Sequence, residues 1–154
     1  MRETCPKWRQ ELIGMLIRHE GFRQFPYLDT ESNLTIGIGR NLDANGVNED
    51  EAAHLLANDI NRVVKECNQT FPWVNLISTK RRNVVYSMVF NMGISNFRSF
   101  KRMIAAIENK DFGLAAAEML DSKWRRQVKK RALELAYVMR VDCYPSKDFY
   151  EPVD

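Results

Sequence analysis

The chain has 154 residues, about the size of one domain and enough to bury a substantial hydrophobic core. Hydrophobic residues make up 45% of it and charged residues 28%, a composition that excludes disordered and fibrous proteins. The net charge of +3 is uneven, with −4 in residues 1–60, +10 in 61–140 and −3 in 141–154. The basic second half predicts an anionic partner, such as a nucleic acid, a lipid headgroup or a bacterial wall polymer, or else a solvated face without one.

Cysteine usage and apolar runs predict where the protein is made. Cys5, Cys67 and Cys143 are odd in number and lack the spacing of a metal site, so we expect reduced thiols, at least one buried, in a reducing cytoplasm. No apolar run approaches the ~18 residues of a membrane helix. The run Leu12 to Ile17 is too short for the core of an export signal, so none is expected.

The first predicted element is a helix from Lys7 to Glu20. Its apolar residues recur three and four positions apart and form one stripe. Pro6 suits the first turn of a helix, and Gly21 suits the position just past its end. The pattern therefore places Glu20 in the last turn.

Alternating apolar residues between Phe22 and Ile38 then predict a hairpin of short strands, and a third short strand is expected around the turn at residues 43–46. Asn48 and Glu51 have the spacing of a capping box, which starts a helix predicted to run to about Cys67.

The rest of the chain is predicted to be helical. A mostly buried central helix is expected to begin with Thr79 as its cap and to end at Gly93. Three shorter helices are predicted at 97–107, 111–120 and 129–139.

Together these elements predict an α+β fold. A small lobe with an antiparallel sheet, a long connecting helix and an all-helical lobe would form a single domain. The expected lobes are residues 18–66, and residues 1–17 with 67–154. Ligands are expected in a cleft between them.

Glu20, Asp29 and Thr35 form a pattern that suits proton transfer. The negative end of the helix dipole disfavours an ionised carboxylate at Glu20, and Phe22 and Phe25 would desolvate it, as a general acid requires. Asp29 lies in a polar turn and should stay ionised, and Thr35 would help it to hold a water molecule. Glycoside hydrolysis uses such a pair of carboxyl groups. The same residues also fit a fold without catalysis, in which Glu20 is a solvated helix end, Asp29 forms an Asx turn and Thr35 is an ordinary strand residue.

A longer motif resembles a known family. Glu20-Gly21, Tyr27-x-Asp29 and the run from Thr35 to Gly39 are similar to the signature of phage-type lysozymes, the endolysins of glycoside hydrolase family 24. Further segments resemble that family in the same order, across roughly residues 9–144. They are 45–52, 89–93, 122–124 and 131–132.

The resemblance implies a lysozyme-like fold and a muramidase that hydrolyses the β-1,4 bond between N-acetylmuramic acid and N-acetylglucosamine in peptidoglycan, with inversion. It implies that Glu20 is the general acid, that Asp29 activates water or stabilises the cation, and that Thr35 positions the water. No cofactor is expected, since acid, base and water suffice. It further implies a monomeric endolysin that is made in the host cytoplasm and reaches the wall through a holin.

Four further positions match family residues that lie at the substrate. Phe90 and Asn91 match positions lining the cleft, Arg131 matches an arginine near the catalytic glutamate, and Glu118 stands where the family has an asparagine. Glu118 therefore changes the sugar contacts expected at its subsite. Arg40 replaces a structural histidine that pairs with an aspartate, so we expect a changed stabilising contact and not lost catalysis.

Alternatives remain for the basic segment and for the activity. Lys123–Arg131 predicts a strip that binds anionic wall polymer or outer-membrane lipid, or a solvated helical face. Nucleic acid is not expected, because no nucleic-acid motif accompanies the charge, and His19 and His54 lack partners at metal-ligand spacing. A lytic transglycosylase would manage with one glutamate, and a peptidoglycan-binding module with none; Asp29 and Thr35 favour hydrolysis.

Overall fold

A computed structural model of the protein describes residues 6–146. The chain divides by contacts into a first unit that ends at His54 and a second that begins at Leu55. The α+β class is confirmed, whereas the predicted lobe boundaries stay a prediction.

The elements are α1 Lys7–Glu20, β1 Arg23–Leu28, β2 Leu34–Gly37, β3 Arg40–Asn41, α2 Leu42–Asn45, α3 Glu49–Thr70, a short 3-10 helix Pro72–Leu76, α4 Thr79–Met92, α5 Ile94–Arg98, α6 Lys101–Glu108, α7 Phe112–Leu120, α8 Lys123–Val128 and α9 Lys130–Val141.

Helix α1 has the bounds that its sequence predicts. Pro6 precedes it, and Gly21 follows it with a φ of 68°, a conformation that favours glycine. The Gly21 amide donates to the Ile17 carbonyl at 2.9 Å, which satisfies one of the last carbonyl groups of the helix. Glu20 is therefore the final residue of α1.

The strands β1, β2 and β3 pair in that order as an antiparallel sheet, as the alternation predicts. Tyr27 lies opposite Thr35, and Thr35 lies opposite Asn41. The third strand precedes the turn at 43–46 instead of surrounding it. Helix α2 occupies that turn because the Asn41 side chain accepts a hydrogen bond from the Ala44 amide and starts a helical turn there.

Helix α3 begins with the predicted capping box. The Asn48 side chain accepts from the Glu51 amide at 2.9 Å, and the Glu51 carboxylate accepts from the Asn48 amide at 2.9 Å. The helix continues to Thr70, beyond the expected end near Cys67.

Two helix predictions in the second unit need correction. Ser78, not Thr79, caps α4, because the Ser78 hydroxyl accepts from the Arg81 amide. The helix predicted at 97–107 is two helices, α5 and α6. The first ends where the Ser99 hydroxyl donates to the Asn96 carbonyl at 2.6 Å.

The hydrophobic core of the described residues lies between Val63 and Met139, in the second unit. Helix α4 contributes four buried side chains, which confirms its predicted central place; they are Val84, Val85, Met88 and Val89. Phe97 is fully buried, and its ring contacts that of Phe71 with the centroids 5.4 Å apart. None of the helices described is both long and apolar enough to cross a bilayer.

The expectation of free thiols, at least one of them buried, is met by the two described cysteines, while Cys5 lies outside the described range and the cytoplasmic location stays a prediction. Cys67 and Cys143 are both free thiols, the first buried and the second exposed. Burial raises the pKa of Cys67 to about 11, so its thiol stays protonated and unreactive at neutral pH.

Candidate functional site

The side chain of Glu20 lies against the turn between β2 and β3. A Cβ atom placed on Gly39 would lie 2.6 Å from Glu20 Oε2 and 2.8 Å from Glu20 Cδ. Gly39 also has a φ of 68°, which a side chain would make costly. The backbone therefore favours glycine there, and an added methyl group would displace the end of the Glu20 side chain, which lies against this turn.

The rings expected to desolvate Glu20 do not bury it. Phe22 is 72% exposed and Phe25 is 74% exposed, and Glu20 is itself exposed. The pairing of β1 with β2 is irregular between Arg23 and Tyr27, so strict strand alternation does not hold where Phe25 lies. That part of the sequence reasoning was wrong.

Asp29 is held by its own turn. Its Oδ1 accepts hydrogen bonds from the Glu31 and Asn33 amides at 2.9 Å each. The Asn33 side-chain amide also donates to Asp29, at 3.1 Å to Oδ2. The backbone hydrogen bond from Asn33, followed by that from its side chain, lowers the pKa of Asp29 below its ordinary value. Asp29 is therefore ionised at neutral pH, as expected, and it also forms the Asx turn.

Thr35 lies beside this turn and is 3% exposed. Its hydroxyl donates to the Asn33 carbonyl at 3.2 Å, and the same carbonyl accepts from the Asp29 amide at 3.0 Å. Asn33 thus links the two residues that were predicted to share a water. The sequence reasoning did not single out Asn33, although an asparagine four positions after an aspartate, within a turn, was a usable signal.

Arg40 makes a structural contact within the first unit. Its Nη1 pairs with Glu51 Oε1 at 2.8 Å, and its Nε donates to the Gly46 carbonyl at 2.9 Å. The other oxygen of Glu51 serves the capping box with Asn48. Arg40 therefore ties β3 to the start of α3, in agreement with a stabilising role at this position.

Phe90 and Arg131 come together in the second unit. They line a concavity of about 330 Å³ together with apolar side chains of α3, among them Leu56 and Ile60. Arg131 donates from Nη2 to the Ser87 hydroxyl at 3.3 Å, and Phe90 is 43% exposed. An aromatic face and a guanidinium thus share one surface.

Asn91 and Glu118 both lie near Trp124, in the same unit. Asn91 Oδ1 accepts from the Trp124 indole N–H at 2.9 Å. Glu118 and Trp124 line a larger concavity of about 730 Å³, where Glu118 Oε1 pairs with Arg102 Nη2 at 2.7 Å. Because Arg102 compensates its charge, Glu118 presents an ion pair, and not a lone carboxylate, to this surface. Sequence reasoning missed Arg102.

No group of three His, Cys, Asp or Glu side chains among residues 6–146 is arranged to hold a metal ion.

The seven predicted site residues form three sets. Glu20, Asp29 and Thr35 lie in the first unit, and the two pairs described above lie in the second. Their individual roles stay predictions.

The sequence was compared with known proteins. Residues 17–138 match the profile of the family described as phage lysozyme. The chain is 30% identical to "Probable T4-type lysozyme 2" of Dictyostelium discoideum, over 79% of this chain and 88% of that protein. It is 29% identical to "Probable T4-type lysozyme 1" of the same organism, over 77% and 86%. It is 27% identical to "Pre-baseplate central spike protein Gp5" of Enterobacteria phage T4, over 83% of this chain and 27% of that protein.

Proposed function

The chain belongs to the phage lysozyme family, which hydrolyses peptidoglycan, and from that premise we propose that it is an N-acetylmuramidase acting by inversion. It cleaves the β-1,4 bond between N-acetylmuramic acid and N-acetylglucosamine. The observation that carries this proposal is the ionised Asp29, joined to the buried Thr35 through Asn33. An ionised carboxylate beside a hydroxyl is what an activated water requires.

The hydrogen bonds of Thr35 and Asp29 support one arrangement for such a water. The Thr35 hydroxyl already donates to the Asn33 carbonyl, so toward a water it acts as an acceptor. The Asp29 carboxylate is also an acceptor. A water that donates one hydrogen to each keeps its lone pairs free to attack the sugar.

The reaction is then a single displacement. Glu20 gives its proton to the leaving oxygen as the bond from that oxygen to C1 breaks, while the water oxygen bonds to C1 from the opposite face. Asp29 takes the proton that the water releases. Exchange with solvent returns a proton to Glu20 and removes one from Asp29, which restores both groups.

Product analysis on purified peptidoglycan tests this chemistry. We expect a reducing N-acetylmuramic acid end in the mass spectrum and, by NMR in the first minutes, the inverted α anomer. A 1,6-anhydro sugar would establish a lytic transglycosylase instead. A β anomer formed first would rule out the water held by Asp29 and Thr35.

Replacement of Asp29 by Asn separates the effect of its charge from that of its hydrogen bonds in the turn. The asparagine Oδ1 can still accept the amide hydrogen bonds of the turn, so the fold should persist. Loss of the charge should lower turnover about 100-fold, the order of a general base. Turnover close to that of the unaltered enzyme would remove Asp29 from the mechanism.

The cellular role that we propose is lysis of a bacterial host. The enzyme would accumulate as a monomer in the host cytoplasm and reach the wall through a holin. The similar sequences include a protein of a phage and proteins of an amoeba, so the role in host lysis is a proposal from the family alone. Expression in a bacterium should cause lysis only when a holin is co-expressed. Lysis without the holin, or a dimer on size-exclusion chromatography, would contradict the corresponding part.

A further inference from the structure

The basic segment at the end of the second unit does not form a single strip. Lys123 lines the concavity that contains Glu118, and Arg131 lines the one that contains Phe90. The four cations between them surround a third concavity of about 360 Å³, which we call the basic hollow. It is lined by Arg125, Arg126, Lys129, Lys130 and Leu133.

The geometry of the hollow comes from a break between α8 and α9. Lys129 has a φ of 45°, a conformation that a lysine seldom adopts, and it ends one helix just before the next begins. None of the ion pairs found within residues 6–146 involves the four cations of the basic hollow, and all four are exposed. Their charge is available to an anionic partner.

An apolar stripe continues from the hollow along α9. Leu133, Tyr137 and Val141 are spaced four residues apart, so they share one helix face. They are 41%, 39% and 44% exposed. Leu133 lines the basic hollow and also a neighbouring concavity that contains Tyr137 and Arg140, so cations and apolar side chains form one surface. We call the hollow and the stripe together the α9 surface.

We propose that the α9 surface binds membranes rich in anionic lipid, an interaction separate from hydrolysis. The cations would contact phosphate headgroups, and the stripe would enter the boundary between headgroups and acyl chains. A phosphodiester wall polymer would use the cations but leave the stripe in water. A second copy of the chain would bring like charges together. A lipid surface is the occupant that uses both features.

Vesicle flotation tests the electrostatic part. The full chain is mixed with vesicles of phosphatidylglycerol and phosphatidylcholine in equal amounts, or of phosphatidylcholine alone. We expect binding to the first that weakens with added salt, and little binding to the second. The variant Arg126→Gln/Lys129→Gln/Lys130→Gln should bind the anionic vesicles roughly 100-fold more weakly.

A matched variant controls for net charge. Lys65→Gln/Arg98→Gln/Lys110→Gln removes three exposed cations of the second unit that lie outside the α9 surface. It should bind within about threefold of the unaltered chain, because the contribution of a cation falls off within a Debye length of the lipid surface. An equal loss in both triple variants would overturn the proposal, since only net charge would matter.

A further variant tests whether the apolar stripe contributes to membrane binding. Leu133→Gln/Val141→Gln keeps the charge and should weaken binding about tenfold. Undiminished binding by this variant would overturn the lipid assignment in favour of a plain polyanion site, as would tighter binding to purified teichoic acid than to vesicles. A dimer in sedimentation that Leu133→Gln dissolves would assign the surface to a second copy. Thermal melts confirm folding, and hydrolysis of purified peptidoglycan should be unchanged throughout.

Discussion

The two units of the chain hold their side chains in place by different means. Among residues 6–146, every buried apolar side chain lies in the second unit, and Thr35 is the buried polar residue of the first. In the first unit, Asp29 and Thr35 are fixed by hydrogen bonds within a turn, and Glu20 lies against a glycine. The predicted chemistry and the bulk of the stability therefore depend on different parts of the sequence.

This difference has a practical meaning. Regions with few buried apolar contacts open at lower free energy than a packed core does. Substitutions in the first unit should accordingly change activity more than the stability of the whole protein, and substitutions in the core should do the reverse. Variants in the two units test that contrast.

The largest effect is expected for Glu20→Gln. Loss of a general acid should lower peptidoglycan hydrolysis about 1,000-fold, with the melting temperature nearly unchanged because Glu20 is exposed. Glu11→Gln is the control, since it alters an exposed glutamate of the same helix. Binding to insoluble peptidoglycan should persist in both variants. Clearing of cell walls by the Glu20 variant at the usual rate would reject the acid assignment.

Phe97→Ala should give the largest loss of stability. Phe97 is fully buried and contacts Phe71, so its truncation should cost about 3–5 kcal/mol of unfolding free energy. Phe25→Ala, which removes a ring that is 74% exposed in the first unit, should cost less than about 1 kcal/mol. Urea unfolding measures both. Equal losses of unfolding free energy in the two variants would contradict the conclusion that the buried core lies in the second unit.

Gly39→Ala and Gly37→Ala form a matched pair. Both glycines have φ near 69°, so either alanine should cost roughly 1–2 kcal/mol in backbone strain. Only the Cβ at Gly39 would meet Glu20, since nothing lies within 4 Å of one at Gly37. We expect kcat to fall about tenfold further for Gly39→Ala, because a displacement of about 1 Å impairs a catalytic group, with KM unchanged.

The double variant Glu20→Asp/Gly39→Ala tests that coupling. A shorter acid leaves room for the new methyl group, so the two effects on kcat should not be additive. Additive effects, or equal kcat for the two alanine variants, would show that Gly39 does not position Glu20.

The smallest effect concerns acid stability. The pKa of Asp29 is lowered on folding from its ordinary value of 3.8, so its hydrogen bonds stabilise the fold above that pH. This contribution is lost as the pH falls through the folded-state pKa. The melting temperature of Asp29→Asn should therefore decline less between pH 5 and pH 2 than that of the unaltered protein. Identical curves for Asp29→Asn and the unaltered protein would show that the turn contributes nothing.

Local signals in the sequence predicted much of the fold. Pro6 and Gly21 bound α1, and Asn48 with Glu51 starts α3, because caps act within a few residues of the chain. The break at Ser99 was not predictable in the same way. It involves no glycine or proline, and depends on a hydroxyl that could equally have faced solvent.

The candidate site was predictable as residues but not as contacts. The motif identified Glu20, Asp29 and Thr35, yet the contact between Glu20 and Gly39 joins residues 19 positions apart and depends on the path of β1 and β2. The bond from Trp124 to Asn91 spans 33 positions. Such pairings follow from tertiary packing, which hydrophobic periodicity does not specify.

The two oxygens of Glu51 separate the cap of α3 from its contact with the sheet. One oxygen completes the cap with Asn48, and the other receives Arg40. Loss of the Arg40 side chain would therefore leave the start of α3 intact while removing its ionic link to β3.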